Sequence, residues 1–526
     1  MRKILLQSWQ LPPTNFRLFI ITILILGVFF RFANIDGRVY WHDETYTSLR
    51  IAGFTVTEVI QNIFNGKLID VEQLQKFQQL SSEKGVIDTI KALMLEDQQH
   101  PPVYYVIAHY WAQLLGDSVA AIRSLSAFTS LLAFPCIYWL CLELFQESLT
   151  GWVAVALIAV SPFQIHYAQE AREYSLLGVV VLLSSAALLQ AIRLHTWFNW
   201  VVYAATLILG LYTNPLFGLV AIAHGSYVLI NRGLRLEKTL VAYLLASTVA
   251  FFVFFPWLVI IITNSGYLRI VSAWMNVRLT WSQYLDSWIY NLTYNFFLPL
   301  PIGQLWLVVK IFVLFLIGYA LYFLCYCTNK KTWSFIIILI ILPTFALVLP
   351  DLISGGMRST IPRYIIPCYL GIEIATAHLL AMQISSINGK YNQQRLWLVV
   401  LVVLVSISLL SNANTLRVEI LQKPGYDATL DMAQSIERSS RPLVLSSEDA
   451  DPISNPMVGD VLSLGHLLKP KIKLQLTTEP ILPEIPTGFD NIFVFKPIKP
   501  FKQALEQKYK LEPAYKTSLW RLKRKA

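Results

Sequence analysis

Charged residues are scarce in this sequence, which has 42 Lys or Arg and 32 Asp or Glu among 526 residues, or 14%. A soluble chain of this size carries about 25%. Hydrophobic residues make up 55% of the chain, and the mean hydropathy is +0.53. So few charges cannot cover a soluble surface. This excludes an ordinary cytosolic enzyme and leaves a polytopic membrane protein with a soluble part.

The sequence also has few cysteines, and it lacks common nucleotide-binding and metal-binding motifs. The five cysteines lie in or beside apolar runs without zinc-finger spacing, which indicates small buried side chains; they are Cys136, Cys141, Cys325, Cys327 and Cys368. The chain contains no P-loop, no GxGxxG and no HExxH motif. We therefore expect no cofactor and no motor for ATP-driven transport.

The net charge of +10 has two interpretations. In a soluble protein it would suggest a nucleic-acid partner, but the chain has no basic stripe interleaved with aromatic residues. In a membrane protein it indicates basic cytoplasmic loops and contact with anionic head groups of membrane lipids. We expect membrane lipids, and no nucleic acid, as partners.

Apolar runs recur from Leu18 to Leu410 and predict about eleven membrane crossings. The first is Leu18–Phe30, interpreted as an uncleaved span because no small-residue cleavage site follows it. The others are expected near Ile122–Cys141, Trp152–Pro162, Tyr174–Ile192, Phe198–Leu211, Leu216–Ile230, Thr239–Ile262, Leu305–Cys325, Trp333–Pro350, Tyr364–Met382 and Leu396–Leu410.

Basic residues in three short loops predict the orientation of these crossings. They are Arg232, Arg235 and Lys238, then Lys330 and Lys331, then Lys390 and Arg395. Two crossings separate each loop from the next, so all three are assigned to the cytoplasm. Counting Val103–Leu115 as a crossing would break this parity. We therefore predict that 100–115 is an interfacial helix, which its aromatic residues suit.

Three regions are expected on this basis. Residues 1–414 form an α-helical polytopic membrane domain, within which residues 35–121 make a large first outer loop with interfacial helices. Residues 415–526 form a small extracytoplasmic α/β domain, because a helical pattern at 426–438 is followed by β-like runs at 442–446, 471–477 and 491–496. The basic end, 521–525, is expected to be a solvated tail.

Adjacent carboxylates follow the first predicted span, in the segment Trp41-His42-Asp43-Glu44. In a loop such acids are commonly only solvated. Here they lie among aromatic residues at the membrane face, where a carboxylate could take the proton of an acceptor hydroxyl as a general base.

A second candidate segment begins at His100 and continues through two prolines to Tyr104 and Tyr105. It is interpreted either as a helix start in an aromatic belt or as a group near a phosphate. His42, His100 and Asp43 could also bind a metal, but three ligands spread over so long a stretch are weak evidence, and we predict no metal site.

Polar residues also enter the predicted span starts on the outer side. Gln169, Glu170 and Arg172 interrupt an apolar region, where they form either a structural ion pair or a phosphate clamp. Arg363 and Tyr364 open a later span, and Arg123 opens the second one. The alternative for these arginines is interfacial snorkelling.

Four segments together resemble the polytopic C-type glycosyltransferases, in particular family 39 and its relatives: protein O-mannosyltransferases, lipid A aminoarabinose transferases and bacterial homologues. They are Asp43-Glu44 in the first outer loop, His-Pro-Pro-x-Tyr-Tyr at 100–105, Ser-Pro-Phe-x-Ile-x-Tyr-x-Gln-Glu-Ala-Arg-x-Tyr at 161–174 and Pro-Arg-Tyr at 362–364. The resemblance covers roughly the first 380 residues. His100 stands where the aminoarabinose transferases carry Lys, which favours the mannosyltransferase-like pattern, and Asn214 departs from the usual aromatic residue or His.

The resemblance implies inverting transfer from a polyprenyl-phosphate sugar to a lipid, glycan or protein hydroxyl, outside a bacterial inner membrane. It implies that Asp43 is the catalytic carboxylate with Glu44 beside it, and that His100, Arg123, Arg172 and Arg363 bind the donor phosphate. The expected substrate pocket comprises Trp41, His42, Tyr104, Tyr105, Gln169, Glu170 and Tyr364. The alternatives are a non-catalytic membrane transporter and an assembly subunit for envelope glycolipid or polysaccharide.

Overall fold

The computed structural model describes residues 11–233, 237–298, 303–385, 391–417, 427–448, 457–478 and 482–525. In chain order its α-helices are α1 (Thr14–Phe32), α2 (His42–Ile51), α3 (Val56–Ile63), α4 (Val71–Gln75), α5 (Val86–Glu96), α6 (Val103–Leu115), α7 (Val119–Leu131), α8 (Ala133–Phe145), α9 (Ser148–Val160), α10 (Pro162–Ala168), α11 (Tyr174–Leu194), α12 (Trp197–Thr213), α13 (Phe217–Arg232), α14 (Lys238–Thr263), α15 (Ser265–Val271), α16 (Trp281–Tyr294), α17 (Leu305–Cys327), α18 (Lys330–Ser354), α19 (Ile366–Ser385), α20 (Tyr391–Arg417), α21 (Asp427–Glu437), α22 (Val458–Gly465) and α23 (Lys499–Lys508). The strands are β1 (Asn65–Asp70), β2 (Pro442–Glu448), β3 (Lys473–Thr478), β4 (Asn491–Phe495), β5 (Tyr509–Tyr515) and β6 (Leu519–Arg524).

The chain forms two compact units. The helical unit comprises Met1–Ala33, Arg123–Val259 and Ala273–Val418. The sheet unit comprises Asn34–Ile122, Ile260–Ser272 and Glu419–Ala526. This division differs from the sequence-based one, because it groups the first outer loop with the C-terminal segment rather than with the helices.

Long apolar helices make this chain a multi-pass membrane protein. Within the described residues, six helices are long and apolar enough to cross a membrane: Val119–Phe145, Tyr174–Leu194, Lys238–Thr263, Leu305–Cys327, Lys330–Ser354 and Asn392–Leu416. The pair α9 and α10, bent by 58°, makes a possible seventh span. The predicted total of eleven crossings and the predicted orientation stay predictions. Arg235 and Lys390, on which the orientation partly depends, lie outside the described residues.

The first helix, α1, is fixed to α9 by a buried arginine. Arg31 is only 1% exposed, and its guanidinium donates hydrogen bonds to the backbone oxygens of Gly27, Ile158 and Ala159 and to Oγ of Ser130. A buried charge is tolerated when its donors are satisfied in this way. The end of α1, from which the first outer loop departs, is therefore held firmly within the helical unit.

Helix α6 has the two-sided character expected of an interfacial helix. Tyr104, Tyr105 and Ala108 are buried, whereas Ile107 and Leu114 are exposed. Its 13 residues span about 20 Å, which is shorter than the roughly 30 Å apolar thickness of a bilayer. Its place at the membrane surface stays a prediction.

The sheet unit is built on six strands in the order β1-β3-β2-β4-β6-β5. The central strand β2 is parallel to β3 and β4, and the outer pairings are antiparallel. Strands buried on both faces read as apolar runs, as β4 and the first half of β2 do here. One face carries α2, α3, α4 and α22, and their apolar residues join Val444, Leu474 and Phe493 in a single core.

The three β-like runs of the sequence are strands β2, β3 and β4. The predicted helix at 426–438 corresponds to α21, although Tyr426 lies outside the described residues. Two features differ from expectation. The first outer loop contributes β1, which pairs with β3. The basic end is not a free tail up to residue 524, because Arg521 and Lys523 belong to β6 and pair with β4 and β5.

Candidate active site

The acidic pair predicted as a general base begins helix α2. Trp41 precedes the helix in an extended conformation, and its carbonyl accepts the backbone N–H groups of Glu44 and Thr45. Asp43 and Glu44 therefore lie in the first turn, where the helix dipole favours negative charge. Glu44 is 1% exposed, whereas Asp43 is half-buried and so can meet a substrate.

His42, beside this pair, faces a carboxylate of the C-terminal segment. Its Nδ1 lies 3.5 Å from Oδ1 of Asp460, and Nζ of Lys496 donates to Oδ2 at 2.7 Å. Burial alone would raise the pKa of Asp460, but the hydrogen bond and charge of His42, with the charge of Lys496, outweigh it and hold that pKa well below its ordinary value. Asp460 is therefore an anion held between two cationic or donating groups.

His100 is held by an aspartate three residues earlier. Its Nδ1 lies 2.7 Å from Oδ1 of Asp97. The other carboxylate oxygen of Asp97 lies 3.7 Å from Nε of Arg50, and Arg50 also donates to Glu96 at 3.1 Å. Burial lowers the pKa of Arg50, but Asp97 and Glu96 together raise it, so Arg50 stays charged. The imidazole of His100 is thus oriented by a buried charge network, and its ring remains partly exposed.

The two tyrosines after His100 lie behind it. Tyr104 and Tyr105 are 1% and 0% exposed, and their rings pack edge to face at 5.7 Å. The Tyr105 ring lies 6.2 Å from that of His100. Because both tyrosines are buried, they support the histidine from within the sheet unit and present little surface to a bound molecule.

In the helical unit, the Gln169–Glu173 turn between α10 and α11 is fully buried. Nε2 of Gln169 donates at 2.8 Å to the carbonyl oxygens of both Phe30 and Ala33. These are the last carbonyls of α1, which a helix leaves without an internal partner. Gln169, predicted as a pocket residue, therefore caps the end of α1.

The charges of this turn are arranged in neighbouring pairs. Oε2 of Glu170 lies 3.6 Å from Nε2 of His166, and Nε of Arg172 lies 3.5 Å from Oε2 of Glu173. The side chain of Asn214 donates to the other oxygen of Glu173 at 3.2 Å. Asn214, which departs from the family pattern, therefore supports the carboxylate that faces Arg172.

Two of the predicted phosphate ligands meet around one aromatic ring. The guanidinium carbon of Arg172 lies 5.9 Å from the Tyr174 ring centre, and that of Arg363 lies 5.7 Å from the same ring. Arg363 also lies 5.4 Å from the Tyr364 ring and 5.9 Å from that of Trp274. Such stacking orients the planar guanidinium groups of the two arginines.

Arg123 belongs to the same unit. It is 1% exposed on α7, and one turn later Oγ of Ser126 donates at 3.1 Å to the backbone oxygen of Arg172. The beginning of α7 is therefore fixed to the turn that carries Arg172.

The predicted site residues thus form two groups. The sheet unit holds Trp41, His42, Asp43, Glu44, His100, Tyr104 and Tyr105, and the helical unit holds Arg123, Gln169, Glu170, Arg172, Arg363 and Tyr364. Within the sheet unit, His42 and His100 have separate carboxylate partners. In the described part of the chain, no three His, Cys, Asp or Glu side chains are placed to hold a metal ion.

Sequence reasoning missed the carboxylates that orient both histidines. Asp97 could have been found, since a carboxylate three residues before His100 is within reach if the segment turns. Asp460 gave no such signal, because its partner His42 is brought to it only by the folding of the C-terminal segment. Trp274, in the short 3-10 helix Ala273–Asn276 and far from Arg363 in sequence, was missed for the same reason.

The chain is similar to known proteins in part of its sequence and in its fold. A family model described as "Dolichyl-phosphate-mannose-protein mannosyltransferase" matches residues 99–260. The chain is similar to the structure of ArnT from Cupriavidus metallidurans bound to undecaprenyl phosphate, with a TM-score of 0.54, 13% identity and coverage of 97% of this chain and 98% of that one. No curated protein sequence matches the chain.

Two further solved structures align at lower scores. ArnT from the same organism in the apo state gives a TM-score of 0.47 at 14% identity, covering 81% of this chain and 87% of that one. The apo oligosaccharyltransferase of Archaeoglobus fulgidus gives 0.47 at 12% identity, covering 90% of this chain and 61% of that one. The fold conclusion therefore rests on the first ArnT structure. With the family model it confirms the resemblance, and the chain has the fold of the polytopic C-type glycosyltransferases.

Proposed function

We propose that this protein is an inverting glycosyltransferase that moves a sugar from a polyprenyl-phosphate donor to an acceptor hydroxyl on the outer face of a bacterial inner membrane. The acceptor is a lipid, glycan or protein. A donor of this kind suits an outer site, because it is already activated and already lies in the membrane.

The observation that carries this proposal is the family-model match over residues 99–260. This range includes His100, Arg123 and Arg172, three of the four residues to which we assign donor-phosphate binding. The likeness in fold over nearly the whole chain to a transferase solved with undecaprenyl phosphate supports the same class of donor.

The proposed reaction is a single displacement. The carboxylate of Asp43 takes the proton of the acceptor hydroxyl, and the acceptor oxygen attacks the anomeric carbon of the sugar. The bond between that carbon and the phosphate oxygen breaks, and its electron pair leaves with polyprenyl phosphate. The half-buried position of Asp43 in the first turn of α2 supports this role, because a general base must come within hydrogen-bond reach of the substrate. Glu44 is buried beside it in the same turn.

The departing phosphate needs positive charge to stabilise it. We assign this to Arg172 and Arg363, whose guanidinium groups share the Tyr174 ring, and to Arg123 and His100. Stacked arginines suit the purpose because their fork of donors is already oriented before the substrate arrives. Trp41, His42, Glu170 and Tyr364 are assigned to the surroundings of the substrate.

A direct assay tests the proposal. Purified protein in lipid vesicles is given polyprenyl-phosphate sugar labelled in the sugar, with an extract of envelope acceptors. We expect release of polyprenyl phosphate together with transfer of label to an acceptor. A transporter would move the labelled lipid across the vesicle intact, and an assembly subunit would leave it unchanged; either result would refute the proposal.

A further inference from the structure

We propose that the C-terminal segment of the sheet unit positions the catalytic turn of α2, and that Asp460 is the positioning residue that does so, acting through His42. The inference rests on the proposed function, since it concerns how the base Asp43 is held. It gives the C-terminal segment a part in the chemistry, whereas the sequence suggested only a separate outer domain.

The first line of support is the ion cluster at Asp460. Both oxygens of its carboxylate are used, one towards Nδ1 of His42 at 3.5 Å and one towards Nζ of Lys496 at 2.7 Å. Lys496 directly follows β4, in the middle of the sheet. The chain of contacts therefore runs from the sheet through Lys496 and Asp460 to the residue next to Asp43.

The second line of support comes from hydrogen bonds on both sides of Asp43. Oγ of Ser463 on α22 donates at 2.7 Å to the carbonyl oxygen of Tyr40. Oγ1 of Thr45 shares its proton between the carbonyl oxygen of His42, at 2.8 Å, and that of Gly459, at 3.2 Å. Helix α22 thus holds the chain immediately before and immediately after the acidic pair, independently of the charges at Asp460.

The third line of support is the close approach of the two helices at Gly459. A Cβ atom at this position would lie 2.6 Å from Nδ1 of His42 and 2.8 Å from Cε2 of Tyr46. Contacts under 3 Å do not occur for real Cβ atoms, so any larger residue would displace the His42 ring or the helix that carries it. The surface of α22 is therefore shaped to the first turn of α2.

These contacts matter because general-base catalysis depends on position. A base acts only within hydrogen-bond reach of the proton that it removes, and a misplacement of about 1 Å can cost roughly 100-fold in rate. If α22 sets the position of the turn, then loosening it lowers kcat. Binding of the donor lipid, which we assign to other residues, is spared.

The first test is Asp460→Asn, assayed as transfer kinetics in vesicles. We expect kcat to fall about 10–100-fold while KM for the donor changes by less than about threefold. Asp490→Asn is the matched control: it makes the same substitution in the same segment, where Asp490 pairs only with exposed groups, Ser440 and Arg441. This control is expected to keep wild-type kcat and KM.

The second test replaces no charged residue, so it still tests the inference if the Asp460→Asn variant fails to fold. Gly459→Ala is expected to lower kcat about tenfold or more with donor KM retained. Gly465→Ala on the same helix is its control, because the added methyl would meet side chains of α4, Leu74 at 2.9 Å and Val71 at 4.0 Å, rather than α2. We expect this variant to keep the wild-type kcat.

The outcomes separate this inference from the proposed function. Wild-type kcat in both Asp460→Asn and Gly459→Ala would overturn the inference, provided that Asp43→Asn is inactive. An equal loss in the controls would also overturn it, because the effect would then not depend on contact with α2. Wild-type kcat in Asp43→Asn would instead refute the proposed function itself.

Discussion

At the scale of single residues, both candidate histidines are oriented by aspartates. Asp97 holds His100 and Asp460 holds His42, so that each imidazole has one nitrogen committed to the protein. The sequence predicted the histidines because they stand in recognisable motifs. It could not reveal Asp460, since that contact depends on how a distant helix packs, and no local pattern records it.

Replacing Asp97 tests the role of His100 as a phosphate ligand. Asp97→Asn removes the charge that orients the imidazole, and a hydrogen bond to a charged group contributes about 1.5–3 kcal/mol. We expect KM for the donor to rise about 10-fold or more, measured by transfer kinetics in vesicles. Asp88→Asn on α5 is the control, because that aspartate caps its own helix and pairs with the exposed Lys91 of the same helix. An unchanged donor KM in Asp97→Asn would show that Asp97 does not help His100 to bind the donor phosphate.

Because folding lowers the pKa of Asp460, the stability of the sheet unit depends on pH in the acidic range. A carboxylate whose pKa is lowered by folding stabilises the protein fully above the ordinary value of about 3.9, and this contribution is lost as the pH falls below it. Because the folded-state pKa lies well below that value, only part of the contribution is lost at pH 3, and we expect Asp460→Asn to lower the thermal midpoint at pH 7 and to lower it less at pH 3. Tryptophan fluorescence in detergent measures both. An equal difference at the two pH values would contradict the shifted pKa.

At the scale of elements, the first outer loop is a structural part of the sheet. Its strand β1 pairs with β3, and α3 and α4 pack on the same core as α22. The sequence did not predict β1, because Asn65–Asp70 is short, polar and mostly unburied, as edge strands are. It did predict β2, β3 and β4, because β2 and β4 have apolar residues buried on both faces of the sheet and β3 alternates Leu474 and Leu476 with polar residues.

Leu74 of α4 tests whether the loop and the C-terminal segment unfold together. It is 1% exposed in the shared core, so Leu74→Ala should destabilise the unit by about 2–5 kcal/mol. We expect faster hydrogen exchange in β3 as well as in α4. Leu68→Ala is the control, since Leu68 is 39% exposed on β1. Exchange that increases in α4 alone would show that the two segments are independent.

At the scale of the whole molecule, the low charge content and the apolar runs predicted a multi-pass membrane protein with a small sheet-containing part, and both are present. The four motifs predicted the glycosyltransferase fold, which the likeness to ArnT confirms. The sequence did not predict this division into units, since residues 35–121 and 419–526 are separated by the whole membrane region and join through the pairing of β1 with β3 and the packing of α22 on the outer-loop helices. The number and direction of the crossings stay predictions, because apolar length alone does not determine them.

The central claim is that Asp43 is the base of a sugar-transfer reaction, and one measurement tests it most directly. Release of polyprenyl phosphate is followed in vesicles that contain equal amounts of wild type, Asp43→Asn or Asp36→Asn, an exposed aspartate of the same loop. We predict that Asp43→Asn loses about 10²–10⁴-fold in turnover while Asp36→Asn does not. Wild-type turnover by correctly inserted Asp43→Asn would contradict the account.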